Sequence, residues 1–181
     1  VKEGITRINV KISSDVETAL NGNGPEITEK DIERLLEKIK EIKKEDIVIL
    51  AGNIPRCINN DIYEIICKTL EKNNVTFIVD ATKELLMNVL KYKPFLIKPN
   101  HHELGDLFNV KLNGNDEIIE YAKKLKEMGA KNVLISMAGD GAILIKENGE
   151  VITSNVPKGK VKNSVGAGDS MVAGFIAGYL E

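Results

Sequence analysis

The chain has 181 residues, enough for one domain with a sizeable core. Hydrophobic residues make up 43% and charged residues 29%, the composition of an ordinary globular protein rather than a disordered chain. The formal net charge of −2 gives no global positive field for nucleic acid, and no apolar run approaches the roughly 20 residues that span a bilayer.

Lysines and glutamates alternate in runs such as Glu37-Lys38-Ile39-Lys40-Glu41, the pattern of a solvated helix face rather than a basic binding patch. Cys57 and Cys67 stand ten positions apart without a CxxC, which suits a reducing cytoplasm better than a disulfide framework. The amino end, Val1-Lys2-Glu3-Gly4, has neither an initiator Met nor a signal-peptide layout, and reads as the middle of a longer chain.

Ile5 to Ile12 alternates as a strand does, and Asn21-Gly22-Asn23-Gly24-Pro25 is rich in turn residues. The first 25 or so residues therefore predict a strand pair outside the main fold. From Thr28 the period changes. Thr28 and Asp31 form a helix start, and Ile32, Leu35, Leu36, Ile39 and Ile42 recur at helical spacing. Ile47 to Gly52 is a continuous apolar run, expected as a strand buried on both faces.

Downstream, residues 60–72 read as helix, 75–80 as strand, 83–91 as helix and 95–98 as strand. Residues 102–108 and 115–128 read as helices and 133–136 as strand. This alternation predicts a mainly parallel sheet with helices on both faces, an α/β fold. A hairpin follows, with strands at 142–145 and 151–153 around Asn148-Gly149. A final helix begins near Gly168 and runs through Leu180.

Chemistry-bearing residues collect at strand ends, where open α/β sheets bind ligands. In Gly166-Ala167-Gly168-Asp169, two glycines surround a small residue before an apolar helix. Backbone N–H groups there could form an anion site, although an Asp stabilising its own helix start is the commoner explanation of a bare GxGD. The spacing is not that of a P-loop. Ser136-Met137-Ala138-Gly139-Asp140-Gly141 follows a strand and is either a ligand loop or a turn entering the hairpin.

Lys98-Pro99-Asn100-His101-His102-Glu103 also ends a strand. Asn100 and Glu103, three apart, suit a hydrated Mg2+ or, equally, a helix cap. His101 and His102 are adjacent, so their side chains are expected to diverge rather than share a metal. Gly52-Asn53-Ile54-Pro55 and Asp80-Ala81-Thr82 end two further strands.

Four of these segments, in order, resemble the ribokinase-like sugar kinases of the PfkB family. They are Ala51-Gly52-Asn53-Ile54-Pro55, Lys98 to Leu104, Ser136 to Gly141, and Asn163-Ser164-Val165-Gly166-Ala167-Gly168-Asp169-Ser170 with Met171 to Phe175. Ala51 stands where many relatives have Ser, and Ala138 where many have Gly; both are expected to fit their turns. The resemblance implies a three-layer α/β/α core over residues 27–181, incomplete at both ends, with residues 1–26 as part of a small β lid.

Thr6 to Ile12 and Asn21 to Pro25 look most like the branch that uses ATP to phosphorylate fructose 1-phosphate at the 6-hydroxyl. Tagatose-6-phosphate kinases are the near alternative, and a nucleotide-binding piece without turnover is another. The resemblance implies ATP and Mg2+, a sugar phosphate substrate, no nucleic-acid or membrane partner, a cytoplasmic location and a homodimer through lid strands.

Residue by residue, the resemblance makes Asp169 the base for the sugar hydroxyl and Gly166, Ala167 and Gly168 the anion hole. Ser136, Met137, Ala138, Gly139, Asp140 and Gly141, with Lys98, Gly168 and Asp169, would hold the nucleotide. Asn100 and Glu103 would organise magnesium through water. Arg7 and Lys11, on a lid-type strand, are candidates for the sugar phosphate.

Overall fold

The computed structural model describes residues 4–12 and 18–181. Residues 1–3 and 13–17 of the expected lid lie outside the described residues. Two short strands, β1 (Asn9–Ile12) and β2 (Thr18–Asn21), form an antiparallel pair with Asn9 opposite Asn21. Val10, Ile12 and Leu20 are all exposed on this pair.

The rest is built on a six-stranded sheet in the order β3-β4-β5-β6-β7-β8. β3 (Ile47–Ala51), β4 (Thr76–Asp80), β5 (Leu96–Ile97) and β6 (Asn132–Ser136) run parallel. β7 (Ala142–Ile145) and β8 (Val151–Ser154) continue it antiparallel as the expected hairpin. α1 (Glu29–Glu41) leads into β3, and the crossovers between the parallel strands are α2 (Ile62–Lys72), α3 (Lys83–Val89), and α4 (His101–Phe108) with α5 (Asn115–Glu127). α6 (Ala167–Leu180) closes the described chain.

The two-residue alternation of strands divides the core between the faces. Phe77, Val79, Ile97, Val133, Ile135, Ile143 and Ile145 point to the face that α1 to α5 cover. Ile78, Leu96 and Leu134 point the other way, against Val172, Met171, Phe175 and Ile176 of α6. Both faces thus carry helices, as expected of an α/β sandwich.

β3 departs from the expected double burial. Leu50 is buried, but Ile49, on the α6 side, remains 48% exposed. β3 is an edge strand of this sheet, and only its first residue, Ile47, packs against the cluster that α6 forms with β4 to β7. A continuous apolar run shows that a strand is apolar on both faces, not that both faces are covered.

Candidate active site

The parallel strands place the ends of β3, β4, β5 and β6 along one edge, so Gly52, Asp80, Lys98 and Ser136 follow one another across the sheet. Tyr63 of α2 donates its hydroxyl to the Gly52 carbonyl at 3.2 Å, tying down the first of these turns. Burial raises the Tyr63 phenol above its ordinary value, so it stays protonated as a donor.

Beyond β5, Asn100 and Glu103 cap α4 reciprocally. Asn100 Oδ1 accepts the Glu103 N–H at 2.9 Å, and Glu103 Oε2 accepts the Asn100 N–H at 2.8 Å. The capping role therefore exists, and it leaves Glu103 Oε1 and the Asn100 amide N–H2 for other partners. A bridge between Asn100 and Ser136 and a bond from the Ser136 N–H to the Pro99 carbonyl at 3.2 Å join this turn to the end of β6.

The two histidines do not diverge as expected. Their rings lie 3.9 Å apart, centroid to centroid, and His101 Nδ1 is 3.4 Å from the Ser136 carbonyl oxygen. Adjacent residues in the first helical turn have side chains long enough to bring flat rings together. No group of three His, Cys, Asp or Glu able to hold a metal occurs among the described residues.

Ser136 to Gly141 forms a tight loop with one 3-10 turn at Ala138–Asp140. The Met137 N–H donates to the Gly141 carbonyl at 2.9 Å and closes it. Gly141 has φ +94, and any Cβ there would overlap the Ser154 carbonyl oxygen. Ala138 is less at ease than its small size promised, because it takes φ +49. That left-handed backbone is where a glycine costs nothing and an alanine does. Beside the loop opens a cleft of about 710 Å³, lined in part by His101, Met137, Gly139, Asp140, Asn155 and Val156. Asn155 and Val156 carried no sequence signal, since they lie past a strand in an unpatterned stretch.

The approach to α6 is a chain of local bonds. Asn163 Oδ1 accepts the Val165 N–H at 2.8 Å, and the Ala167 N–H donates to the Ser164 carbonyl at 3.1 Å. Gly166, at φ +80, turns the chain into the helix, where the Ser170 N–H reaches the Gly166 carbonyl at 2.9 Å. Of the expected anion-hole donors, the Ala167 N–H is thus engaged locally, whereas the Gly168 N–H belongs to the first turn, whose acceptors would lie before the helix. The Asp169 N–H stands in the same position. The Asp169 side chain is exposed and makes no hydrogen bond or ion pair among the described residues.

Lys98 connects the sheet edge to this helix start. It is 7% exposed, forms an ion pair with Asp80 at 3.3 Å, and brings Nζ to within 3.1 Å of where a Gly168 Cβ would stand. The structure therefore gathers Asp80, Lys98 and Gly168 at one place, with Asp169 next in the helix, and places Asn100, Glu103 and the 136–141 loop at the neighbouring strand ends. Lys11 lies on β1, whereas Arg7, expected on the same strand, precedes it; neither is part of this cluster. Cys67 offers no nucleophile: burial, with Glu64 nearby, pushes its thiol up to about 12.

The chain is 48% identical over 99% of its length to a 1-phosphofructokinase of Bacillus subtilis, of which it covers 59%. It is 36% identical over 96% of its length to a D-tagatose-1-phosphate kinase of Bacillus licheniformis, covering 57% of that protein. Phosphofructokinase-2 of Escherichia coli, solved with fructose 6-phosphate, superposes with a TM-score of 0.81 at 27% identity, over 91% of this chain and 55% of that one. The chain thus spans somewhat over half the length of the relatives it matches. The pfkB family carbohydrate kinase pattern matches residues 1–181, and the chain belongs to that family.

Proposed function

We propose that this chain carries the phosphoryl-transfer part of an ATP-dependent kinase that converts fructose 1-phosphate to fructose 1,6-bisphosphate. The observation that carries the reading is the start of α6, where the buried Lys98 ammonium lies beside Gly168 of the first turn at a parallel sheet edge, with Asp169 next in the helix. The Bacillus subtilis relative bears the name of that activity.

Transfer of a phosphoryl group depends mainly on positioning and on stabilising charge. The sugar 6-hydroxyl oxygen bonds to the γ-phosphorus of ATP, the bond to the β,γ-bridging oxygen breaks, and ADP leaves. Asp169 accepts the hydroxyl proton. Because a loose transition state releases that proton late, a carboxylate within hydrogen-bond reach is sufficient. Gly166 and Gly168, with the Asp169 N–H, hold the moving phosphoryl oxygens at the positive end of α6; the Ala167 N–H joins them only by leaving Ser164.

Ser136 to Gly141 hold the nucleotide along the 710 Å³ cleft, and Lys98 faces its terminal phosphate. Glu103 Oε1 and the Asn100 amide fit a magnesium ion held through water, a cation that needs few protein ligands and that would neutralise phosphate charge. Arg7 and Lys11 grip the sugar's own phosphate from the lid pair, residues 1–26. The exposed Val10, Ile12 and Leu20 suit that pair to a second copy of the chain, giving a homodimer. A cytoplasmic location suits the free thiols and supplies ATP. Among the described residues no helix is long and apolar enough to cross a membrane.

A second reading, nucleotide binding without turnover, draws support from the share of relatives covered, 59% at most among those compared above. One experiment separates the two. The 181-residue chain, beside the full-length polypeptide, is incubated with ATP, Mg2+ and either fructose 1-phosphate, D-tagatose 1-phosphate, tagatose 6-phosphate or fructose 6-phosphate, and products are followed by phosphorus NMR. The expected result is fructose 1,6-bisphosphate, formed fastest from fructose 1-phosphate. ATP binding with no product from any sugar would favour the second reading.

A further inference from the structure

The register of the central strands pairs Ile78 with Leu96 and Val79 with Ile97. One step further along the same ladder stand Asp80 and Lys98. Side chains alternate along a strand, so these two share the face of Ile78 and Leu96, which is the face α6 covers. The pair is therefore fixed between the sheet and the amino end of the last helix, with side-chain exposures of 9% for Lys98 and 22% for Asp80.

This is an expensive place for a cation. A buried ammonium loses its hydration and needs compensating partners. The nearby helix end carries positive partial charge, which disfavours a lysine. Asp80, at 3.3 Å, is the one carboxylate paired with it among the described residues. An ammonium has three donors, so the single Asp80 pairing leaves it able to bind an anion brought to the start of α6.

Gly168 completes the arrangement. A Cβ on Gly168 would lie 3.1 Å from Lys98 Nζ and 3.5 Å from Cε. Its backbone does not need glycine, because it is an ordinary residue of the first helical turn. The space does: an alanine would push the ammonium away by a few tenths of an ångström.

We propose that Asp80 is a positioning residue that holds the Lys98 ammonium against the start of α6, and that residue 168 is glycine because the ammonium occupies the space of a side chain. The inference rests on the kinase reading for the anion concerned, the terminal phosphate of ATP. Asp80 touches neither substrate nor phosphate; it acts through Lys98. The second glycine of Gly166-Ala167-Gly168 thereby has a different task from the first, which supplies a left-handed turn.

The test is a double-mutant cycle in the full-length polypeptide, with a thermal melt of each variant. Asp80→Asn, Lys98→Met and the double variant are compared in kcat with fructose 1-phosphate and in the ratio of ATP to ADP affinity by calorimetry. Each single change should lower kcat about tenfold or more, as loss of one phosphate-directed donor does. Once Lys98 is Met, Asp80→Asn should add less than about twofold, the mark of two residues acting as a unit. The preference for ATP over ADP should fall equally in all three.

Losses that multiply in the double variant overturn the proposal, as does an Asp80→Asn protein with wild-type kcat and ATP preference. If Asp80→Asn does not fold, Gly168→Ala takes its place in the cycle and is judged by the same criteria. If the wild-type protein transfers no phosphoryl group, the kinase reading fails by itself, and the ATP-to-ADP ratio alone decides the positioning role.

Discussion

Ala138 sits in a left-handed conformation at φ +49, in the middle of the loop assigned to the nucleotide. For an alanine this backbone costs roughly 1–2 kcal/mol relative to the right-handed region, and for glycine almost nothing. Ala138→Gly should therefore raise stability, by about 0.5–1 kcal/mol once the greater freedom of glycine in the unfolded chain is set against the relief. A urea titration checks it; an unchanged or lower midpoint would mean that the loop is not strained at this residue. The strain was not legible in sequence, where Ala in place of Gly looked merely small. Residue type gives size, but only the closed loop, with the Met137 N–H on the Gly141 carbonyl, fixes the sign of φ.

At the scale of elements, the capping residues of two helices could be read directly. Thr28 with Asp31 and Asn100 with Glu103 both make reciprocal capping boxes. The second box competes with the magnesium role for the same side chains, and substitution separates the two. Asn100→Ala should destabilise the protein by about 1 kcal/mol through loss of the cap, whereas Asn100→Ser should recover most of that. If Ser restores the melting temperature but not the magnesium dependence of turnover, Asn100 has both tasks; if it restores both, the cap is its only one.

Other element boundaries shifted for physical reasons. The helix expected at residues 83–91 ends as α-helix at Val89 and tightens into a 3-10 turn, with Lys93 left-handed just before Pro94. A residue before proline avoids the right-handed helical region, so the turn must close there. β5 keeps only Leu96–Ile97 of the four residues expected, and Pro99 beyond it has no N–H to extend the ladder. β3 was legible as a strand but not as an edge, because apolar content says nothing about which helix lies over which strand.

For the whole molecule, the alternation of strands and helices sufficed to give a mainly parallel sheet, and the strand-end motifs sufficed to mark one edge of it. What the alternation could not give was the pairing of Asp80 with Lys98. The two residues are far apart in sequence, and they meet only because β4 and β5 are neighbours in a particular register. The cleft residues Asn155 and Val156 were hidden for the same reason: they reach the site through the hairpin, not through a local pattern. Chain order thus brought the strand-end motifs to one sheet edge, while the contacts between them became visible only across the sheet.

The central claim is that the start of α6 is where the phosphoryl group moves and that Asp169 takes the proton. Asp169→Asn in the full-length polypeptide tests it most directly, because the amide keeps the shape and removes the base. ATP affinity by calorimetry should stay within about threefold of wild type, while kcat with fructose 1-phosphate should fall by about 10²-fold or more, the scale of a lost general base. Turnover near the wild-type rate in that variant would contradict the account.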